Sequence, residues 1–402
     1  GSAQAEPIPE PRVWEASKLE ATFARERLFV TPLPTISLEC RQPRVLLAGT
    51  DSLDFGVYVD FDRHWPKILT RLAQLKRKAK GNAGKIIADG RCAILPGGKP
   101  NFPFHFQYPG FQLFLSRKRQ PDGNTPNVFV RLNSEFLWHH GERSAIKQVL
   151  AALAELAGGT VRECRMSRCD LAVDVWLPER LTDGFLRSHA VTRTRSMRLY
   201  LEGDDLQTLY VGAADGDVQL RCYDKSAEIV HSSKDWFLPL WGLTVNFGVW
   251  RFEFQVRRAM LKSCGINSLD DLLTKRGDLW RYLTEEWFLL RLPDNANVTR
   301  RTPHPLWQMV QGCVERFGPV TEPLQRRKAE PATGAEPLRK QLANKVVSFS
   351  ARNQIVNLQE ALQDVNQALT EEFAARNFTE ECQRKAIKLG ITLREGRDDS
   401  AA

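Results

Sequence analysis

Three short stretches of the sequence place charged and hydroxyl-bearing side chains where they could act together. In "LRCYDKSAE" (220–228), Arg221, Tyr223 and Lys225 alternate with Leu220, Cys222 and Asp224. Residues two apart on a β-strand share a face. A strand here would set a guanidinium, a phenol and an ammonium in a row. In "SRCDLAVDVW" (167–176), one face carries Arg168, Asp170, Ala172, Asp174 and Trp176, and the other carries Cys169, Leu171, Val173 and Val175. In "WRFEFQVRR" (250–258), Arg251, Glu253, Gln255 and Arg257 oppose Trp250, Phe252, Phe254 and Val256. The apolar faces read as core. Aspartate is disfavoured in mid-strand, so Asp170 and Asp174 call for a reason.

If the three strands are neighbours in one sheet, their polar faces merge. Carboxylates suit a hard divalent cation, Mg²⁺ or Mn²⁺. Such a cation polarises a phosphoryl oxygen. Asp170 and Asp174 lie roughly 13 Å apart along a strand and cannot share one ion. Asp170 and Glu253 are the better pair of ligands, with Glu228 a weaker candidate. A phenol has a pKa of about 10 and needs help to attack phosphate at neutral pH. Flanking cations are expected to lower the cost of the phenolate. Tyr223 is therefore the candidate nucleophile, with Tyr210 in reserve. Lys225 could donate a proton to the leaving oxygen, and Arg221 could hold the phosphate. The bland alternative is an exposed sheet face laced with ion pairs of small worth.

Other chemistries find little support. His139 and His140 are adjacent, so on a strand they would face opposite ways; a surface role is expected. No phosphate-binding P-loop, dinucleotide fingerprint or Gly-x-Ser-x-Gly elbow is present. The eight cysteines are scattered, with no Cys-x-x-Cys pair. That argues against a zinc site and a secreted disulfide scaffold, and for reduced thiols in the cytoplasm. No apolar run approaches transmembrane length, and no signal peptide is visible, so no membrane partner is expected. The chain carries 57 basic and 48 acidic residues, net +9, which suits an anionic partner, nucleic acid first. Candidate phosphate contacts are Lys76, Arg77, Lys78, Lys80, Arg168, Arg251, Arg257 and Arg258. A mildly basic enzyme with no polyanion is the alternative. For the run at 76–80, so is a solvated helix end.

These residues need elements to position them. Residues 1–40 are Pro-rich and read as an irregular arm. Residues 41–160 read as one half of a core, with strands and two helices. The first helix follows Trp65, Ile68, Leu69, Leu72 and Leu75, with Pro66 in its first turn. The second is expected over 144–157, capped by Ser144 and ended by Gly158 and Gly159. Residues 161–317 form the half that carries the three stretches. Its strands fall near 164–176, 206–212, 218–224 and 247–257, and a helix starting at Ser268 with a capping-box-like "SLDD" runs on into "WRYLTEEWFLL". The order reads as α+β, with antiparallel sheets and helices, and duplicated ferredoxin-like halves would fit. Residues 318–340 read as a linker rich in Pro, Gly and charge. Residues 341–395 read as helical. Ile355, Leu358, Leu362, Val365 and Leu369 make two heptads, which suit packing on the core or on a partner helix, a homodimer included. Residues 396–402 read as a disordered tail.

In order, "SRCDLAVDVW", "QTLYVGAADGDVQLRCYDKSAE" and "WRFEFQVRR" resemble three segments of the replication initiation factor family. These are tyrosine nucleases that start rolling-circle replication of plasmids, phages and integrative elements. The pattern looks like Arg-x-Asp with further acids, then Tyr-x-Gly with Arg-x-Tyr-Asp-Lys-x-x-Glu, then Arg-x-Glu-x-Gln. The likeness covers roughly 45–290. It implies a metal-dependent DNA-nicking and strand-transfer endonuclease that forms a 5′-phosphotyrosine and frees a 3′-hydroxyl. Asp170, Glu253, Tyr223, Lys225 and Glu228 fall on matched positions. Origin DNA, single-stranded or supercoiled, and a host replicative helicase and polymerase are the implied partners. One departure stands out: "GAADGD" replaces a Gly-Ser-x-x-Ser whose hydroxyls could help hold DNA. Two other readings stay open, a non-catalytic DNA-binding protein on the same fold and a metal nuclease that activates water.

Overall fold

The structure is a computed structural model and describes residues 42–81, 86–88, 92–123, 125–244, 246–321, 323, 324, 336–389, 392 and 393. The readings for 1–40 and 396–402 lie outside the described residues, as does most of the linker. The chain divides into two compact units, residues 1–327 and 328–402.

The first unit is α+β. Its frame is an eleven-stranded sheet of β1 (Arg44–Asp60), β2 (Ile86–Ala88), β3 (Cys92–Leu95), β4 (Phe104–Tyr108), β5 (Phe111–Leu115), β6 (Val128–Leu132), β7 (Thr160–Trp176), β9 (Met197–Glu202), β10 (Asp205–Val211), β11 (Val218–Asp224) and β12 (Val249–Arg257). Short β8 (Ala190–Thr192) and β13 (Phe288–Leu290) pair separately. The order is β2-β3-β4-β5-β6-β1-β7-β12-β11-β10-β9, and each pairing is antiparallel.

The order repeats itself. A long strand, β1 or β7, is followed by a helix, Trp65–Gly81 or Asp183–His189. An antiparallel meander then returns its last strand, β6 or β12, beside the long strand. The two halves meet along β1 and β7, paired from Arg44–Trp176 to Asp60–Thr160. They form one continuous sheet rather than two.

Period-two alternation explains the layers. Leu53, Phe55 and Val57 of β1, Leu171 and Val173 of β7, Phe252 and Phe254 of β12, and Leu220 and Cys222 of β11 belong to one core. Trp65, Leu72 and Ala79 of the first helix join it, as do Ala145, Ile146, Val149 and Leu153 of the second. These helices therefore cover the apolar face. The opposite face holds the polar residues.

Three helical boundaries depart from the sequence reading. The second helix starts at Ser134, ten residues before the expected Ser144, and runs to Ala157. Gly141, at φ 70° and ψ 163°, breaks it into two pieces that follow one another. Glycine tolerates that backbone conformation at no steric cost, so the earlier piece escaped the periodic pattern. The helix after Ser268 has its capping box, with Ser268 accepting from the Asp271 amide. It ends at Tyr282, where Leu283–Trp287 widen into a π-turn, and Phe288–Leu290 become β13. The third departure is at 225, described below.

The second unit consists, among the described residues, of the helices Glu336–Arg352, Leu358–Ala374 and Phe378–Leu389. Ile355 lies between the first two helices rather than in a heptad. Val365, Ala368 and Leu369 face Leu342, Val346 and Phe349 across an apolar groove of about 510 Å³. Of the heptad residues, Val365 and Leu369 thus line a groove between two helices of this chain, while Leu358 and Leu362 stay exposed.

Candidate active site

The sheet order brings the three stretches together, because β7, β12 and β11 are consecutive. Their register lays polar residues in rows. Asp174 lies opposite Arg251, which lies opposite Tyr223. Ala172 lies opposite Glu253, and Glu253 opposite Arg221. On β10, Tyr210 continues the second row and Thr208 the first. A cleft of about 960 Å³ opens on this face, lined in part by Asp170, Glu253, Arg221, Tyr223, Lys225 and Tyr210.

Asp170 and Glu253 are both buried, at 0% and 2% exposure. They converge on Arg221 Nη2, which donates to Asp170 Oδ2 at 3.0 Å and to Glu253 Oε1. Arg168 adds a fork on Asp170, with Nε donating to Oδ1 at 2.8 Å. Burial, and next to it the Glu253 charge, push the Asp170 carboxyl up to about 7 against the pull of the two arginines. Arg221 Nε is buried and finds no partner, a donor still to be satisfied.

The Tyr223 hydroxyl donates to Glu253 Oε2 at 3.0 Å. Its pKa lies well above the usual phenol value, through burial first and the Glu253 charge second. This corrects the expectation that flanking cations would lower it. Arg221 and Arg251 do pull it down, but each already faces two carboxylates, so their field at the ring is largely spent.

Lys225 departs from its expected place on the strand. It begins the helix Lys225–Ser232, capped by Asp224, whose side chain accepts from the Ala227 amide at 2.9 Å. Aspartate is a favoured N-cap, so "DKSAE" carried a helix-start signal that strand alternation masked. The ammonium still reaches the site: it lies 5.5 Å from the centre of the Tyr223 ring and is 2% exposed. It bonds Glu228. Burial and the nearby Arg251 charge lower its pKa.

Arg251 is a correction. It is 0% exposed and cannot meet a DNA phosphate. It forks onto Asp174, with Nη2 to Oδ2 at 2.8 Å, and also bonds Asp51. Trp241 Nε1 donates to Asp174 at 2.7 Å. Ser134 and Trp138 donate to Asp51 at 2.6 and 3.0 Å. Asp174 thereby has its reason, as the main partner of a buried arginine. Asp51, Ser134 and Trp138 were missed, because nothing local in the sequence ties β1 or the piece before Gly141 to β12.

Other expected phosphate contacts are otherwise engaged. Arg257 donates to the carbonyls of Ala214 and Gly216 and pins the "GAADGD" turn. Arg258 donates to the Met166 and Ile266 carbonyls and to Asn267 Oδ1. Lys76 reaches the Pro103 carbonyl. Lys76, Arg77 and Lys78 belong to the helix on the apolar face, away from the cleft; the Lys80 side chain lies outside the described residues. Arg168 does reach the cleft.

A divalent cation needs oxygen ligands, and two carboxylates do converge, on the point now held by Arg221 Nη2. Glu228 is committed to Lys225 and Lys234 instead. Among the described residues no three acids, histidines or cysteines gather as a metal group. Two carboxylates still fit the habit of Mg²⁺, which keeps its waters and takes further ligands from substrate phosphates.

Among the described residues, seven cysteines are free thiols, and no helix is long and apolar enough to cross a membrane. No family model matches the chain, and no curated protein matches it. Among solved structures, it is similar to a rolling circle replication initiator protein from Geobacillus stearothermophilus. The identity is 15%, the match covers 71% of this chain and 100% of that one, and the TM-score is 0.40. A likeness this distant says nothing by itself about what the chain does.

Proposed function

We propose that the chain is a DNA-nicking and strand-transfer enzyme that starts rolling-circle replication, with Tyr223 as its nucleophile. The observation that carries this is the Tyr223 hydroxyl, held at 3.0 Å from a buried carboxylate at the floor of an open cleft. The phenol oxygen attacks a backbone phosphorus, and its proton passes to Glu253 as the P–O bond forms. Early ionisation is disfavoured by the raised pKa, so transfer and attack go together. The bond to the 3′-oxygen breaks, and Lys225, whose lowered pKa eases release of a proton, protonates that oxygen. The products are a 5′-phosphotyrosine and a free 3′-hydroxyl. A host helicase would then open the duplex and a polymerase would extend from that end.

Arg221, which lines the cleft, is the phosphate clamp in this reading. Asp170 and Glu253 would hold Mg²⁺ or Mn²⁺, which supplies charge stabilisation at the phosphoryl oxygens when bound.

The test is intact-protein mass spectrometry after incubation with single-stranded origin oligonucleotides and Mg²⁺ or Mn²⁺. The expected result is a mass increase equal to the 3′ fragment of the cut strand, absent in Tyr223→Phe. Cleavage without any adduct would overturn the tyrosine mechanism and favour attack by water. Binding with neither cleavage nor adduct would leave a DNA-binding protein. If Tyr210→Phe abolishes the adduct and Tyr223→Phe keeps it, the nucleophile is Tyr210.

A further inference from the structure

The polar face does not stop at the cleft. It continues across β10 to β9, the last strand of the sheet. Residues paired across a ladder share a face. Tyr200 lies opposite Thr208, and Thr208 opposite Tyr223; Arg198 lies opposite Tyr210, and Tyr210 opposite Arg221. Two strand spacings separate Tyr200 from Tyr223, roughly 10 Å.

At that edge the Tyr200 and Tyr210 rings stand edge to face, with centres 5.5 Å apart and planes at 74°. The Arg198 guanidinium lies 5.4 Å from the centre of the Tyr210 ring. Tyr200 is 53% exposed, although it is a large aromatic on a sheet edge. Arg193 and Arg195 are also exposed just before β9, and Arg193 pairs with Glu286. Glu202, Asp204 and Asp205 lie at the far turn, where Asp205 pairs with Arg180, and Asp215 and Asp217 lie on the turn between β10 and β11, while Arg195 and Arg198 lie nearest the rings. The basic end of β9 therefore flanks the two rings.

We infer that Tyr200, Tyr210 and Arg198 form a base-stacking platform that holds unpaired bases of a single DNA strand beside the attacked phosphate. The inference rests on the reading of the cleft as a DNA-nicking site. An exposed ring, Tyr200, beside the half-buried Tyr210 and interleaved with arginine is what single-stranded nucleic acid uses: bases stack on the rings, and the cations follow the backbone. A duplex keeps its bases stacked on one another and offers such rings nothing. Tyr210 thereby has a role that does not involve its hydroxyl, and strand separation becomes a condition for productive binding.

The experiment measures binding by the full chain without divalent cation, using a fluorescein-labelled oligothymidylate and an abasic oligonucleotide of equal length. The pair Tyr200→Ala and Tyr210→Ala is expected to weaken oligothymidylate binding roughly tenfold or more. Binding of the abasic strand should stay the same, and the pair Tyr200→Phe and Tyr210→Phe should restore most of the loss. The platform is overturned if the alanine pair binds oligothymidylate like the parent protein, or if it loses both ligands equally. It is also overturned if the parent protein binds both probes alike. These outcomes are independent of the adduct. Ring-dependent binding with no adduct would sink the nicking mechanism and leave the platform standing. An adduct with ring-independent binding would do the reverse.

Discussion

The two oxygens of Glu253 serve different partners: Oε2 accepts the Tyr223 hydroxyl at 3.0 Å, and Oε1 takes Arg221 Nη2. One carboxylate thus couples the attacking oxygen to the group that would hold the phosphate. Glu253→Gln keeps the shape but cannot take a proton. Adduct formation should fall roughly 10²- to 10⁴-fold, the usual worth of general-base help, while oligonucleotide affinity changes little. Single-turnover rates and anisotropy read the two effects separately. An unchanged rate in a folded Glu253→Gln protein would remove Glu253 as the base.

Arg221 Nη2 sits where a cation shared by Asp170 and Glu253 would sit. Removing that competing positive charge should strengthen metal binding. Arg221→Gln is expected to bind Mn²⁺ more tightly than the parent protein in electron paramagnetic resonance titrations. Its melting temperature should also rise on adding Mn²⁺, by mass action. Adding Asp170→Asn should cancel both gains. Equal Mn²⁺ affinity in the parent and Arg221→Gln proteins would show that the arginine does not guard the site.

Asp51 gives a pH signature. Burial favours its neutral form, but Arg251, Lys225 and the bonds from Ser134 and Trp138 outweigh that and hold its carboxyl well below the usual range. A depressed folded pKa contributes stability that is present above the unfolded value, about 4, and is lost as pH falls. At pH 7, Asp51→Asn should cost about 2–3 kcal/mol in urea unfolding, since Arg251 keeps Asp174. The gap between parent and variant should close as pH drops below about 4. A gap constant from pH 7 to 3 would show that the Asp51 charge does not stabilise the fold.

Strand alternation alone made the sheet faces legible. It placed Asp170, Glu253, Arg221 and Tyr223 on one surface, because a period of two leaves no freedom once the apolar face is buried. It could not show that each cation already had acids to face. Arg251 reads like Arg221 in the sequence, and only the pairing with Asp174 and Asp51 separates a sealed arginine from one that lines the cleft. Lys225 was placed on the wrong element because the Asp224 cap competes with the strand pattern. The piece Ser134–His140 was illegible, because Gly141 interrupts the helical period that would have announced it.

Residues 328–402 form a unit of their own. Leu342, Val346 and Phe349 of one helix and Val365, Ala368 and Leu369 of the next line its groove. Leu338, Leu342, Val347, Leu358, Leu362 and Leu369 stay substantially exposed. Scattered apolar residues are normal on a surface, but a run along paired helices marks an interaction surface. The described residues lining the cleft lie between Asp51 and Glu253, so the proposed mechanism assigns no role to a residue of this unit. Removing residues 328–402 is expected to leave oligonucleotide cleavage near the parent rate and to reduce self-association. Sedimentation velocity reads the mass of each protein in solution, and the adduct assay reads the chemistry. If the truncated protein keeps its circular dichroism and melting transition but cuts no oligonucleotide, the helices belong to the active site and this division of labour is wrong. If it cuts normally and the parent protein is already monomeric at micromolar concentration, the exposed leucines serve a partner other than a second copy of this chain.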